Sequence, residues 1–101
     1  MGAKIHVDQG KLADFCRRHH IRRLALFGSV LRDDFTPESD VDVLVEFKPG
    51  HVPGFIRLGG IEDELSAVLG RQRLDLITPK FLSRRIRDRV LAEAEVQYVE
   101  A

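Results

Sequence analysis

The sequence predicts a mixed α/β domain in which a small, partly antiparallel sheet is flanked by helices. Three observations lead there. Short apolar runs alternate with longer stretches whose apolar residues recur at helical spacing. At 101 residues the chain has room for one hydrophobic core, so residues 1–101 are expected to form a single domain. There is no internal repeat, no low-complexity segment and no linker that would divide it, and one α/β layer pair is the economical architecture.

The elements follow in order. Asp8 has the chemistry of a helix N-cap, and Leu12, Phe15, Cys16 and His19 then recur on one helical face. Residues 22–27 are short, apolar and stopped by Gly28, which suits a buried strand. A short helix is expected after Gly28 and Ser29, and residues 33–40 carry loop chemistry. Val41 to Phe47 alternates as a strand should, with Val41, Val43 and Val45 on one face and Asp42, Leu44 and Glu46 on the other.

Two prolines and two glycines make residues 48–54 a loop, one that could cover a cleft or touch a partner. From Phe55 the pattern is helical. Ile61, Leu65, Val68 and Leu69 share a face, and Gly70 stands where a C-cap glycine belongs. Gly59 and Gly60 weaken the first turns. Residues 73–78 form a third strand ended by Pro79. Phe81, Leu82, Ile86, Val90 and Ala94 mark a last helix, and residues 96–99 a short closing strand.

Composition narrows the function. With 44% hydrophobic and 32% charged residues, the chain reads as globular rather than disordered. Its formal net charge is zero, so it lacks the global footprint of a nucleic-acid binder, and direct nucleic-acid binding is not expected. A single cysteine, Cys16, excludes an internal disulfide and fits a reducing compartment. No apolar run approaches the ~20 residues that span a bilayer. The first residues lack a secretory signal's apolar stretch, and Val7 stands where myristoylation at Gly2 would want Ser or Thr. The expectation is a cytoplasmic protein.

The chemistry is concentrated in Gly28, Ser29 and Arg32, followed by Ser39, Asp40 and Asp42. Residues two apart at a strand entry point to one face, so Asp40 and Asp42 would stand roughly 6–7 Å apart along the chain. Carboxylates that close stay ionised only with a cation between them. A hard divalent ion is the natural occupant, since Mg²⁺ takes a few carboxylates together with substrate phosphates. Asp75 lies in the otherwise apolar run Leu74 to Ile77, where a carboxylate is costly unless paired or metal-bound. If that strand lies beside the second, Asp75 joins the other two on one face, and a two-metal site follows. Gly28 and Ser29, ending a strand and opening a short helix, point free N–H groups outward as an anion site. Arg32, one turn on, would reach a phosphate or clamp the acidic loop.

A strand ending Gly28-Ser29, a nearby Arg32 and then Ser39-Asp40-Val41-Asp42 before apolar residues resembles the DNA polymerase β-like nucleotidyltransferase superfamily. Its smallest members are the minimal nucleotidyltransferase (MNT) domain proteins. The resemblance runs nearly the whole chain and includes Val68-Leu69-Gly70, the run Leu74 to Ile77 and the helix ending at Glu93, Ala94 and Glu95. It implies that fold, and an antitoxin that silences a HEPN-type ribonuclease toxin by moving AMP from ATP onto one of its tyrosines. Gly28 and Ser29, with Arg32 and Ser39, would then bind the nucleotide. Asp40, Asp42 and Asp75 would be the catalytic residues and metal ligands for Mg²⁺, two ions, with Mn²⁺ as a substitute. Asp75 would also help deprotonate the acceptor. The chain departs from many relatives at Leu31 and Asp33, on either side of Arg32. The rival readings are an antitoxin that acts by binding alone and a small-molecule nucleotidyltransferase.

The remaining features read blandly. His19 and His20 sit at a helix end, neither His6 nor His51 has a ligand-spaced partner, and Cys16 falls on an apolar face. Arg84, Arg85, Arg87 and Arg89 form a basic run that would ordinarily be a solvated face.

Overall fold

The computed structural model describes residues 5–33, 35–36, 38–70 and 73–100, except for the side chains of Ser29 and Phe81. The Asp8 carboxylate accepts the Lys11 N–H at 3.1 Å and starts α1, Gln9–Arg18, which buries Leu12, Phe15 and Cys16. The chain reverses through His20, at φ +57°, into β1, Ile21–Phe27. A 3-10 turn, Gly28–Leu31, and a loop lead to β2, Val41–Phe47. Helix α2, Phe55–Leu69, ends at Gly70 in the left-handed conformation (φ +66°) anticipated for it. Strand β3, Leu74–Ile77, a 3-10 turn, Pro79–Phe81, helix α3, Arg84–Glu93, and β4, Glu95–Val99, complete the chain.

The four strands lie in the order β3-β2-β1-β4. Strand β1 is antiparallel to both β2 and β4, whereas β2 and β3 run parallel across the α2 crossover. The expected partly antiparallel sheet is therefore a mixed one, with β3 and β4 at its edges. Leu24 and Leu26, Val41, Val43 and Val45, and Leu74 and Leu76 share a buried cluster with Leu12, Phe15, Ile61, Leu65 and Leu69. One sheet face is thus covered by α1 and α2, with α1 on β1 and β4 and α2 on β3. In α2 the Ile61, Leu65, Leu69 stripe holds Gly59 and Gly60 in helix against their low propensity. No helix among the described residues is long and apolar enough to cross a membrane.

The last helix differs from expectation. Residues 79–81 form a separate 3-10 turn, Leu82 is extended (φ −86°, ψ 138°), and helix begins only at Arg84. Leu82 is buried, while none of α3 is buried and Ile86 is half exposed. Burying Leu82 from an extended backbone interrupts the helical periodicity that its sequence neighbours suggest. Glu95, placed by motif at the helix end, instead opens β4. Three of the α3 arginines, Arg84, Arg85 and Arg89, form the solvated face expected of them, and Arg89 pairs with Glu93 one turn on.

Candidate active site

Strand pairing assembles the acidic groups. Phe27 stands opposite Asp42 in the antiparallel register of β1 and β2, and Asp42 stands opposite Asp75 in the parallel register of β2 and β3. Neighbouring strands are about 4.8 Å apart, and opposed residues project to the same face, so the two carboxylates flank one groove. That face is the one away from α1 and α2. Asp40 enters from the loop just before β2.

Gly28 closes the groove on the β1 side. Its φ is +77°, and a Cβ there would collide with Oδ2 of Asp42. Glycine is required twice over, for the backbone conformation and for the close approach of the carboxylate. Gly28 also opens the 3-10 turn Gly28–Leu31, and the first N–H groups of such a turn lack intrahelical partners, which is the half of the site suited to phosphate. Ser29 lies in this turn, but its side chain is outside the described residues.

The electrostatics match a cation site. Asp42 is half-buried, and its carboxyl is held above the usual range, first by burial and then by the charges of Asp75 and Asp40, with Arg32 opposing them. Arg32 is exposed and close enough to act on Asp42. Asp75 is also exposed, so the desolvation cost expected for it in an apolar strand does not arise. The physical reason is its place on an edge strand, with its side chain on the face that α1 and α2 leave open. Its approach to Asp42, which depended on β3 lying beside β2, is realised.

Among the described residues, no three His, Cys, Asp or Glu side chains converge closely enough to enclose a metal by themselves. The donor set nonetheless fits a hard divalent ion. It is all oxygen, sets the charges of Asp75 and Asp40 against Asp42, and lies beside the Gly28–Leu31 turn, whose N–H groups would bring phosphate oxygens to complete the coordination. Cys16 offers no competing chemistry, because burial pushes its thiol up to about 12.

Two elements of support were not apparent in the sequence. Arg73 lies 3.9 Å from Asp40 (Nε to Oδ1), donates to the Glu38 carbonyl at 3.2 Å and accepts the Val41 N–H at 3.2 Å. It pins the loop that carries the first carboxylate. Its only signal was its position one residue before β3. Ser39, expected at the nucleotide, has its hydroxyl 3.1 Å from both the Thr36 N and the Thr36 hydroxyl, and so shapes that same loop. The loop at residues 48–54 follows the opposite end of β2, roughly 17 Å along the strand from Asp42, and does not cover this groove.

The nucleotidyltransferase domain family matches residues 10–96. The chain belongs to this family. Among curated relatives, a protein of Methanocaldococcus jannaschii named as a protein adenylyltransferase is 33% identical over 83% of this chain and 87% of its own length. Protein adenylyltransferase MntA of Thermococcus cleftensis is 36% identical over 75% of this chain and 74% of its own. Among solved structures, a minimal nucleotidyltransferase superposes with a TM-score of 0.69 at 32% identity, covering 85% of each chain. A toxin–antitoxin complex with AMP-PNP gives 0.72 at 18% identity over 93% of this chain and 75% of the other, a likeness of fold. In this nucleotidyltransferase the shared fold is what brings Gly28, Asp42 and Asp75 to one groove.

Proposed function

We propose that this nucleotidyltransferase moves AMP from ATP onto a hydroxyl of a partner protein, a tyrosine of a HEPN-type toxin, and so acts as its antitoxin. The observation that carries the reading is the register pairing of Asp42 with Asp75 directly beside the positive-φ Gly28. The relatives named as protein adenylyltransferases support the choice of AMP as the transferred group and of protein as the acceptor.

Asp40, Asp42 and Asp75 would hold Mg²⁺, as two ions, with Mn²⁺ able to substitute. Bound there, the metal supplies neutralisation of the triphosphate and a lower pKa for the attacking hydroxyl. The residues of the chain do the positioning. N–H groups of the 3-10 turn orient the phosphates, and Gly28 lets them approach without a side chain in the way. Arg32 offsets charge at the acidic face. The acceptor oxygen bonds to the α-phosphorus in line with the departing bond, and pyrophosphate leaves. The exposed Asp75 carboxylate would take the hydroxyl proton. An open groove on a small domain cannot enclose an acceptor alone, which favours a protein partner that completes the site.

The test is intact-mass spectrometry of a HEPN-type toxin partner after incubation with this domain, ATP and Mg²⁺. Increments of AMP with wild type and none with Asp42→Asn are expected. A stable, non-toxic complex with no increment from either protein would instead make it an antitoxin that acts by binding.

A further inference from the structure

The other end of the β1–β2 pair carries a second concentration of like charge. His20 precedes β1, and residues 48–51 follow β2. The Lys48 N–H donates to the His20 carbonyl at 2.9 Å, the His51 N–H donates to the Lys48 carbonyl at 3.0 Å, and Gly50 turns at φ +81°. This tight turn folds His51 back over His20. Their rings stack 4.0 Å apart and 22° from parallel. His20 holds a left-handed conformation in which glycine or asparagine is the usual choice. The pair borders a pocket of about 300 Å³ lined also by His19, Gly50, Pro53 and Arg57.

The charges facing this pocket are of one sign. His20 has its pKa lowered by burial and then by His51, Lys48, Arg57 and His19, every one a cation or potential cation. Arg57 stands in the first turn of α2, where the helix dipole disfavours a positive side chain. Among the described residues it has no carboxylate partner, whereas Lys48 is held by Glu100 at 3.0 Å. Glu64, two turns further along α2, is occupied by Arg18 at 2.6 Å and His19 at 3.0 Å. Stacked imidazoles turn faces rather than nitrogens toward each other, so the pair does not converge on a metal ion. Cationic donors around a small concavity suit an anion instead.

We propose that His20, His51 and Arg57 form a binding site for a small phosphate-bearing anion, separate from the nucleotidyltransferase groove and at the opposite end of the same two strands. The ligand would supply the negative charge that the pocket lacks and let His20 take up a proton, so binding strengthens as pH falls through the imidazole range. The volume admits a phosphate or diphosphate group.

The chain has four histidines, so their ring resonances can be followed one by one by NMR. Inorganic phosphate, pyrophosphate and AMP would be titrated separately at constant ionic strength in EDTA, so that no metal assembles the catalytic groove. Saturable shifts of His20 and His51, with the His20 titration midpoint rising by about one unit, are expected. Arg57→Ala should weaken binding by about fivefold or more, and His51→Ala likewise, with transfer activity unchanged. Tighter binding of AMP than of phosphate would identify a nucleotide as the source, and equal binding a free phosphate. The proposal is overturned if chloride produces the same shifts, if Arg57→Ala binds as wild type, or if only residues around Gly28 respond.

Discussion

The two ends of the β1–β2 ladder are built from the same strands and gather charges of opposite sign. At one end Phe27 meets Asp42, with Asp40 and Asp75 close by. At the other Ile21 meets Phe47, with His20, His51 and Arg57 beyond them. Asp42 holds its proton more tightly than usual through burial first and acidic neighbours second, and His20 more loosely through burial first and basic neighbours second. A formal net charge of zero therefore hides two poles of opposite sign. The core between them is conventional, with Leu24, Leu26, Val43 and Val45 wholly buried. Like charge is tolerated at both poles because it lies at strand ends, where solvent still screens it.

The largest expected effect comes from neutralising the acidic pole. Asp42→Asn should lower transfer by about a thousandfold or more, since it removes charge that the proposed metal site would need. The same change should raise the Tm of the ligand-free domain by a few degrees. The sign follows from the raised carboxyl pKa. Its stabilising contribution is full below the unfolded value near 3.8 and is lost as pH rises through the folded value. At neutral pH wild type bears the repulsion and the amide does not. Thermal melts at pH 7 should separate the two proteins, and melts near pH 3 should bring them together. A variant that loses activity and stability together would contradict this account of the pole.

Gly28→Ala attacks the same pole through the backbone. Its Cβ would collide with the Asp42 carboxylate at a positive φ, and a loss of about 2 kcal/mol or more is expected, together with most of the activity. Urea denaturation measures the first and the AMP-transfer assay the second. Gly59 and Gly60 are the contrast, because a Cβ at either meets nothing within 4 Å. Gly59→Ala and Gly60→Ala should each stabilise by about 0.5–1 kcal/mol in the same denaturation experiment and leave transfer unaltered. The smallest effect is expected at the basic pole, where His20→Gly relieves a left-handed histidine and one like charge. A gain of no more than about 1 kcal/mol should result, seen as a higher urea midpoint with an unchanged slope.

What could be read from the residues was whatever depends on near neighbours. Alternation placed Val41, Val43 and Val45 in the core and Asp42 outside it, and the αL role of Gly70 followed from its place after Leu69. The glycine-plus-aspartates pattern of the groove was also legible, because Gly28 and Asp42 are constrained by local backbone chemistry. The exposure of Asp75 was not, since an apolar run reads the same in a central strand and an edge strand. Nor was the break at Leu82, where a tertiary contact overrode helical spacing. Glu62 is a similar case. Its carboxylate accepts the Leu76 N–H at 2.9 Å, satisfying an edge-strand donor from the neighbouring helix, and no periodicity announces such a bond.

By itself, then, the sequence determined the element types, their order, the core-facing residues and the acids available for chemistry. Each of these is a property of side-chain period and backbone preference over a few residues. The tertiary structure decided which strands are neighbours and in what register. That choice set Asp75 against Asp42, brought Arg73 to Asp40 and folded His51 onto His20. Register is fixed by packing the whole apolar face of the sheet at once, since a slip of one residue would turn every buried valine of β2 toward solvent and Asp42 toward the core.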